Sequence, residues 1–204
     1  MKESLTISCR LIKNLMDEHK VILQGLGVLK IVTERIAKRR PVAHQDLLLL
    51  VRFFEIYADR IHHHTEENLL FETLAGTAPR SLRRMMEQLI TQHVMGRFFV
   101  FRISEAVSGA ATGVRGWRKK FVESAQAYGT LLSCHICSED HHVFPIADRL
   151  IGKRSLRIKA ESYPTLKQRK LLEKSLSRLV SKYGVADQAS VVLQNCDRKT
   201  MRQD

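Results

Sequence analysis

Sliding the chain along itself by 73 residues lays one unusual segment over another: HHHTEENLLFETL, from His62, meets HICSEDHHVFPIA, from His135. His62 pairs with His135, Glu66 with Glu139, Glu67 with Asp140 and Phe71 with Phe144. At an offset of 74, LMDEHKV meets LITQHVM, which sets His19 against His93. Each half therefore reads as a lone histidine, a change of helix, and then His-x-x-x-Glu. A His and a Glu four residues apart share a helix face one turn apart. The repeat selects His62 from the run of three histidines. At about 100° per residue, His63 and His64 are expected on other faces of the same helix.

The surrounding apolar period is helical throughout. Leu11, Leu15, His19, Ile22, Leu26 and Leu29 form one stripe, and Leu82, Met86, Leu89, His93, Gly96, Val100 and Ile103 another. Two more run through His62 and Glu66 and through His135 and Glu139. Breakers lie between them at KRRPVAHQD, AGTAP and SGAATGVRG, and the four prolines are expected at or near helix ends or linkers. Four long helices with short connections predict an all-α, up-down-up-down four-helix bundle over 11–150. Residues 151–204 read as a basic extension, helical over about 165–183 on the spacing of Leu166, Leu172, Leu176, Leu179 and Tyr183, and then a weakly ordered tail.

Two His-x-x-x-Glu pairs and two lone histidines on the apolar stripes would converge in the bundle core. They offer four imidazoles and two carboxylates. An ionised carboxylate taken out of water costs several kcal/mol even after relaxation. Two divalent cations would supply the compensating charge, with carboxylates bridging them. Imidazole with carboxylate and an open position suits iron, and zinc or manganese also satisfy the ligand types.

The signatures DEHKVI, YADRIHHHTEENLLF, LITQHVMGRFF and HICSEDHHVFPIADRL resemble the hemerythrin-like, or HHE cation-binding, domains. That resemblance implies a non-haem di-iron centre ligated by His19, His62, His93 and His135 and bridged by Glu66 and Glu139. It also implies binding of, or reaction with, O2, NO or peroxide, in oxygen storage, sensing or defence against oxidative and nitrosative stress. Whether the di-iron centre would make the protein an enzyme is left open. The chain departs from the oxygen carriers of the family. Their fifth histidine, four residues after the one on the third helix, is here Arg97. Their last carboxylate falls at Asp140, one residue beyond Glu139. The pattern is closer to the four-His, two-Glu variant, with Asp140 an alternative to Glu139 and His63 or His142 substitute ligands.

Other residues invite weighing. Glu55 and Tyr128 each lie two turns before a ligand candidate. Glu55 reads equally as a partner for an imidazole N–H or as a solvated carboxylate, and Tyr128 reads as packing ahead of a redox role. Cys134 and Cys137 form a C-x-x-C, but with His141 and His142 they occupy adjacent turns and cannot readily surround one zinc. Ferritin-like sites carry Glu-x-x-His on two helices and a lone Glu on the others, whereas His19 and His93 hold those lone positions here.

The formal charge of +13 collects in RIAKRR (35–40), RGWRKK (115–120) and the extension. An up-down bundle brings the first two to one end as a basic rim. The rim and extension read as a solvated face or as a surface for an acidic protein, acidic lipid or nucleic acid. The second reading of the whole chain follows: a metal-stabilised interaction protein. Four scattered cysteines and the lack of a signal-like N-terminus favour a reduced, cytoplasmic setting, and no apolar run approaches the roughly 18 residues of a membrane span.

Overall fold

The computed structural model describes residues 2–153 and 166–185. Every regular element among them is helical. Helix α1 spans Lys2–Ala37. Helix α2 starts as an α-helix at His44–Phe53, widens into π-helical turns at Phe54–His63 and Glu66–Phe71, and ends with Glu72–Ala75. Helix α3 is Arg80–Ala111. Helix α4 runs through Trp117–Ser138, a π-helical segment Glu139–Val143, and Phe144–Lys153. Helix α5 is Leu166–Tyr183.

Helices α1 and α3 each pack against both α2 and α4. With connections only four to six residues long (38–43, 76–79 and 112–116), neighbours must alternate in direction, which is the up-down bundle. Gly116, at φ 84°, takes the left-handed conformation that launches α4. Pro145 is not at a helix end. It lies inside the continuous rod of α4, in the first turn after the π segment. The backbone there has already left regular i→i+4 bonding, so a missing N–H disrupts less than it would in an unbroken helix.

The core has two apolar compartments. One holds Ile36, Leu47, Val107 and Phe121, so the 38–43 and 112–116 connections share that end, and the basic rim is formed there. The other holds Leu15, Leu74, Leu82 and Phe144. Between them lies a layer of fully buried polar residues: Glu18, His19, His62, Glu66, His93, His135 and Glu139.

Helix α5 docks on α1 and α2 and adds Leu172, Leu176, Leu179 and Tyr183 to the first compartment. Buried Asp46, at the start of α2, fastens its end: Tyr183 donates to Oδ2 at 2.6 Å, and Lys182 Nζ lies 2.6 Å from the same oxygen. The basic extension therefore turns an apolar face onto the bundle. The tail expected beyond residue 185 lies outside the described residues. No helix among the described residues is long and apolar enough to cross a membrane.

Candidate metal centre

Both His-x-x-x-Glu motifs sit where an α-helix passes into π-helical turns: His62 and Glu66 straddle the two π segments of α2, and Glu139 opens the π segment of α4 just after His135. Wide turns of this kind recur at functional sites. On α2, Thr65 also donates its hydroxyl to the Ile61 carbonyl at 2.6 Å, a competing bond inside the helix.

The side chains converge into two groups sharing one carboxylate. His19, His62, Glu66 and Glu139 each place one ligand-type atom within 4.8 Å of the others, as do His63, Glu66, His93 and His135. Glu66 holds one oxygen 3.3 Å from His62 Nε2 and the other 3.4 Å from His93 Nε2. Glu139 Oε2 lies 3.3 Å from His19 Nε2 and 3.1 Å from His135 Nε2. Each carboxylate thus spans an imidazole from either group. All four oxygens of Glu66 and Glu139 lack a hydrogen-bond partner, as do His19 Nε2, His62 Nε2 and both ring nitrogens of His63. Buried polar atoms are nearly always paired, so a cluster of orphans pointing at one another is a cavity of ligand atoms.

The outward nitrogens tell the same story. Nδ1 of His19 meets Asp140 Oδ1 at 2.7 Å, His62 meets Glu18 Oε2 at 2.9 Å, His93 meets Glu67 Oε1 at 2.7 Å and His135 meets Gln92 Oε1 at 2.9 Å. Each of these oxygens is an acceptor, so each imidazole donates from Nδ1 and turns its Nε2 inward. Metal-binding histidines are oriented in this way. His93 Nε2 and His135 Nε2 approach to 3.1 Å, a repulsive pair of lone pairs unless a proton or cation lies between them. The donor set fits two cations held by imidazole and shared carboxylate.

The half-repeat extends to these supports. Asp140 and Glu67 are counterparts, as are Glu18 and Gln92. Phe144 stacks on His19 at 5.4 Å, and Phe71 on His93 at 6.4 Å.

Electrostatics follow the acidity of the layer. Burial disfavours a charged His19, but Asp140 and Glu139 outweigh it and lift its pKa to about 10. Burial also opposes charge on His93, where Glu66 and Glu67 prevail and raise it to about 9. For His62 burial wins over Glu66, and the pKa falls to about 4. Burial and the Glu139 charge push Glu66 up. In the protein alone, the surrounding carboxylates favour protonated His19 and His93. A cation would replace those protons.

His63 is the main difference from the helical-wheel expectation. It is buried, stacks on His93 at 4.0 Å, and faces the second group. The π turns fit more residues into each revolution than an α-helix does, so its direction swings toward that of His62. His64 is exposed and engages Asn68. Asp140 is on the outer side of His19, away from the shared cluster. His142 is exposed, and so is Glu55. Tyr128 is buried and packs edge-on against Phe54 at 4.9 Å. Cys137 lies 3.7 Å from His141 Nδ1, but the C-x-x-C forms no metal-ligand cluster among the described residues. Glu18 and Gln92 carry no role in the sequence pattern, and Glu67 enters it only as the counterpart of Asp140. Their signal was the offset pairing itself, read one residue to either side of the histidines and glutamates.

No curated protein and no solved structure matches the chain significantly. A family model described as the hemerythrin HHE cation-binding domain matches residues 10–147, the stretch that contains every residue of both clusters. The protein belongs to the hemerythrin HHE cation-binding domain family.

Proposed function

We propose that the protein holds two iron ions and binds or reacts with O2, NO or peroxide, in sensing or in oxidative and nitrosative defence. His19 and His62 would hold one ion and His93 and His135 the other, with Glu66 and Glu139 shared. His63 is a further imidazole on the His93 side. The observation that carries the reading is the orientation of four imidazoles, each tied outward through Nδ1 and facing two unpartnered carboxylates through Nε2. Two ferrous ions would supply two electrons and open positions for a small oxidant. The chain's own residues fix the imidazole tautomers, share charge between the two halves, and keep bulk water out behind two apolar compartments. The bundle over 11–150 would carry this centre, and the extension would serve as its clamp.

The test is metal content per chain on protein from iron-supplied cells, with the visible spectrum recorded before and after reduction. Two irons and a ferric spectrum that bleaches on reduction are expected, and His62→Ala with His135→Ala should bind no iron. One zinc per chain, or iron that survives the double substitution, would overturn the assignment. A single tightly held zinc would instead favour a metal-stabilised interaction protein acting through its basic rim.

A further inference from the structure

A cavity of about 160 Å³ opens beside the centre, with Glu55, Asp59, His63, Gly96, Arg97 and Tyr128 in its wall alongside the apolar Phe54, Val100 and Phe101. Its inner wall is His63, 3 % exposed, with neither ring nitrogen hydrogen-bonded and its ring stacked on His93. Its outer wall is Arg97, pinned by Nε to Asp59 Oδ1 and by Nη2 to Glu67 Oε1, both at 2.7 Å. The same Glu67 oxygen accepts the His93 Nδ1 bond. A larger cavity of about 370 Å³ between α2 and α5 touches none of the clustered residues.

The half-repeat shows that this opening is particular to one side. At the same offsets, Asp59, His63, Gly96 and Arg97 correspond to Leu132, Ile136, Ile22 and Leu23. All four of those are buried core residues. Where one half of the bundle is plugged with aliphatic side chains, the other carries two charges, an imidazole and a glycine.

We infer that this cavity is the route by which a small, neutral, hydrogen-bonding molecule of the size of hydrogen peroxide reaches the His63 side of the centre. The inference rests on the iron reading above. At about 30 Å³ per water, the space holds only a few water-sized molecules, well below the 300 Å³ or more of sites for drug-sized ligands. Glu55 and Asp59 share the lining with Arg60 and Arg97, so formal charges cancel and neither anions nor cations are favoured. Carboxylates accept hydrogen bonds while guanidinium donates them. A molecule with both donors and acceptors satisfies the polar part of that wall, whereas O2 and NO would use only its apolar part.

Gly96 is the place to close the route. A methyl there would stand 3.6 Å from Tyr128 Cε2, an ordinary contact, so Gly96→Ala is sterically tolerated and Gly96→Val fills more of the space. Gly129, where a Cβ meets nothing within 4 Å, provides the control Gly129→Val. Ferrous-loaded full-length protein would be mixed with hydrogen peroxide without oxygen. Each peroxide takes one electron from each of two ferrous ions and two protons, breaks its O–O bond, and leaves as two waters.

The expected result is a second-order rate that falls from glycine to alanine to valine at position 96, by tenfold or more at valine, with iron content unchanged. Gly129→Val should match the unaltered chain, and tert-butyl hydroperoxide should react far more slowly with all four proteins. Equal rates for Gly96→Val and Gly129→Val at equal iron content would overturn the route while leaving the iron centre standing. A chain that takes up no iron would overturn both.

Discussion

Arg169 Nη1 lies 2.6 Å from Oε1 of Glu18, and the other Glu18 oxygen accepts the Nδ1 bond of His62 at 2.9 Å. A residue of the basic extension thus reaches the metal-type layer through one fully buried carboxylate. Burial raises Glu18 to about 7, and Arg169 pulls against that rise. The counterpart of Glu18 in the second half is Gln92, a neutral acceptor that needs no cation. Helix α5 stands where the first half carries the charged version of this support. Arg169 Nε also meets Glu173 Oε1 at 3.0 Å, and that oxygen accepts from the Tyr57 hydroxyl at 2.9 Å, so the link is braced on both sides.

Removing the guanidinium should therefore cost more than a surface ion pair. With Arg169 partly exposed, we expect Arg169→Ala to lose about 2 kcal/mol, below the range for a fully buried pair, and to lower Tm by roughly 4–8 °C. In a Glu18→Gln background the same substitution should cost little. A thermal double-mutant cycle measures the coupling, and additive losses would show that Arg169 does not act through Glu18.

The parts of this architecture that depend on regular periodicity were legible in the sequence. Stripes through Leu15, His19 and Ile22 or through Leu89, His93 and Gly96 need only a 3.6-residue repeat, and α1 and α3 are uninterrupted α-helices. What escaped lies on α2 and α4, where π turns break that repeat. A constant rotation per residue puts His63 on another face, and a rod that stops after its motif puts Pro145 near a helix end; the π turns change both. The fastening of α5 was also out of reach, since Glu18 and Arg169 are 151 residues apart and nothing local in either segment points to the other.

The three consecutive histidines separate by role. His64→Ala should leave iron content and stability unchanged, because His64 is exposed and its ring bonds to Asn68, outside both groups of ligand atoms. His63→Ala removes an imidazole facing the second group and should weaken iron binding at least about tenfold, the lower size of effect seen for supporting shells. Stability of the iron-free chain should hardly fall, since the substitution also removes two unpartnered buried nitrogens. Iron titrations and melts of both variants distinguish these outcomes, and equal behaviour would return His63 to a packing role.

Close approach of α1 to α2 depends on Gly25. A Cβ there would come within 2.5 Å of Phe53 Cε1. Phe53 cannot swing away freely, being 2 % exposed and held between Tyr57 at 5.1 Å and Phe54 at 5.3 Å. Gly25→Ala should cost about 1–3 kcal/mol by overpacking, despite its better helix propensity. Gly129→Ala, in open space, should gain up to about 1 kcal/mol. Urea midpoints moving in opposite directions would show it.

Iron should act as a structural load on the two apolar compartments as well as a reactive one. Glu66 places one oxygen on each group, so its loss as a charged bridge affects both. A ligand that binds only the folded chain, at about 100 times its Kd, adds about 2.7 kcal/mol. For a chain of this length that corresponds to roughly 5–10 °C in Tm. The unaltered protein should show that gap between iron-loaded and chelated samples, and Glu66→Gln should abolish most of it. The amide keeps the shape of the side chain but brings no negative charge to either group. If the gap persisted in Glu66→Gln, the shared carboxylate would not be what couples the halves, and Glu139, 3.1 Å from His135 and 3.3 Å from His19, would be the bridge to test next.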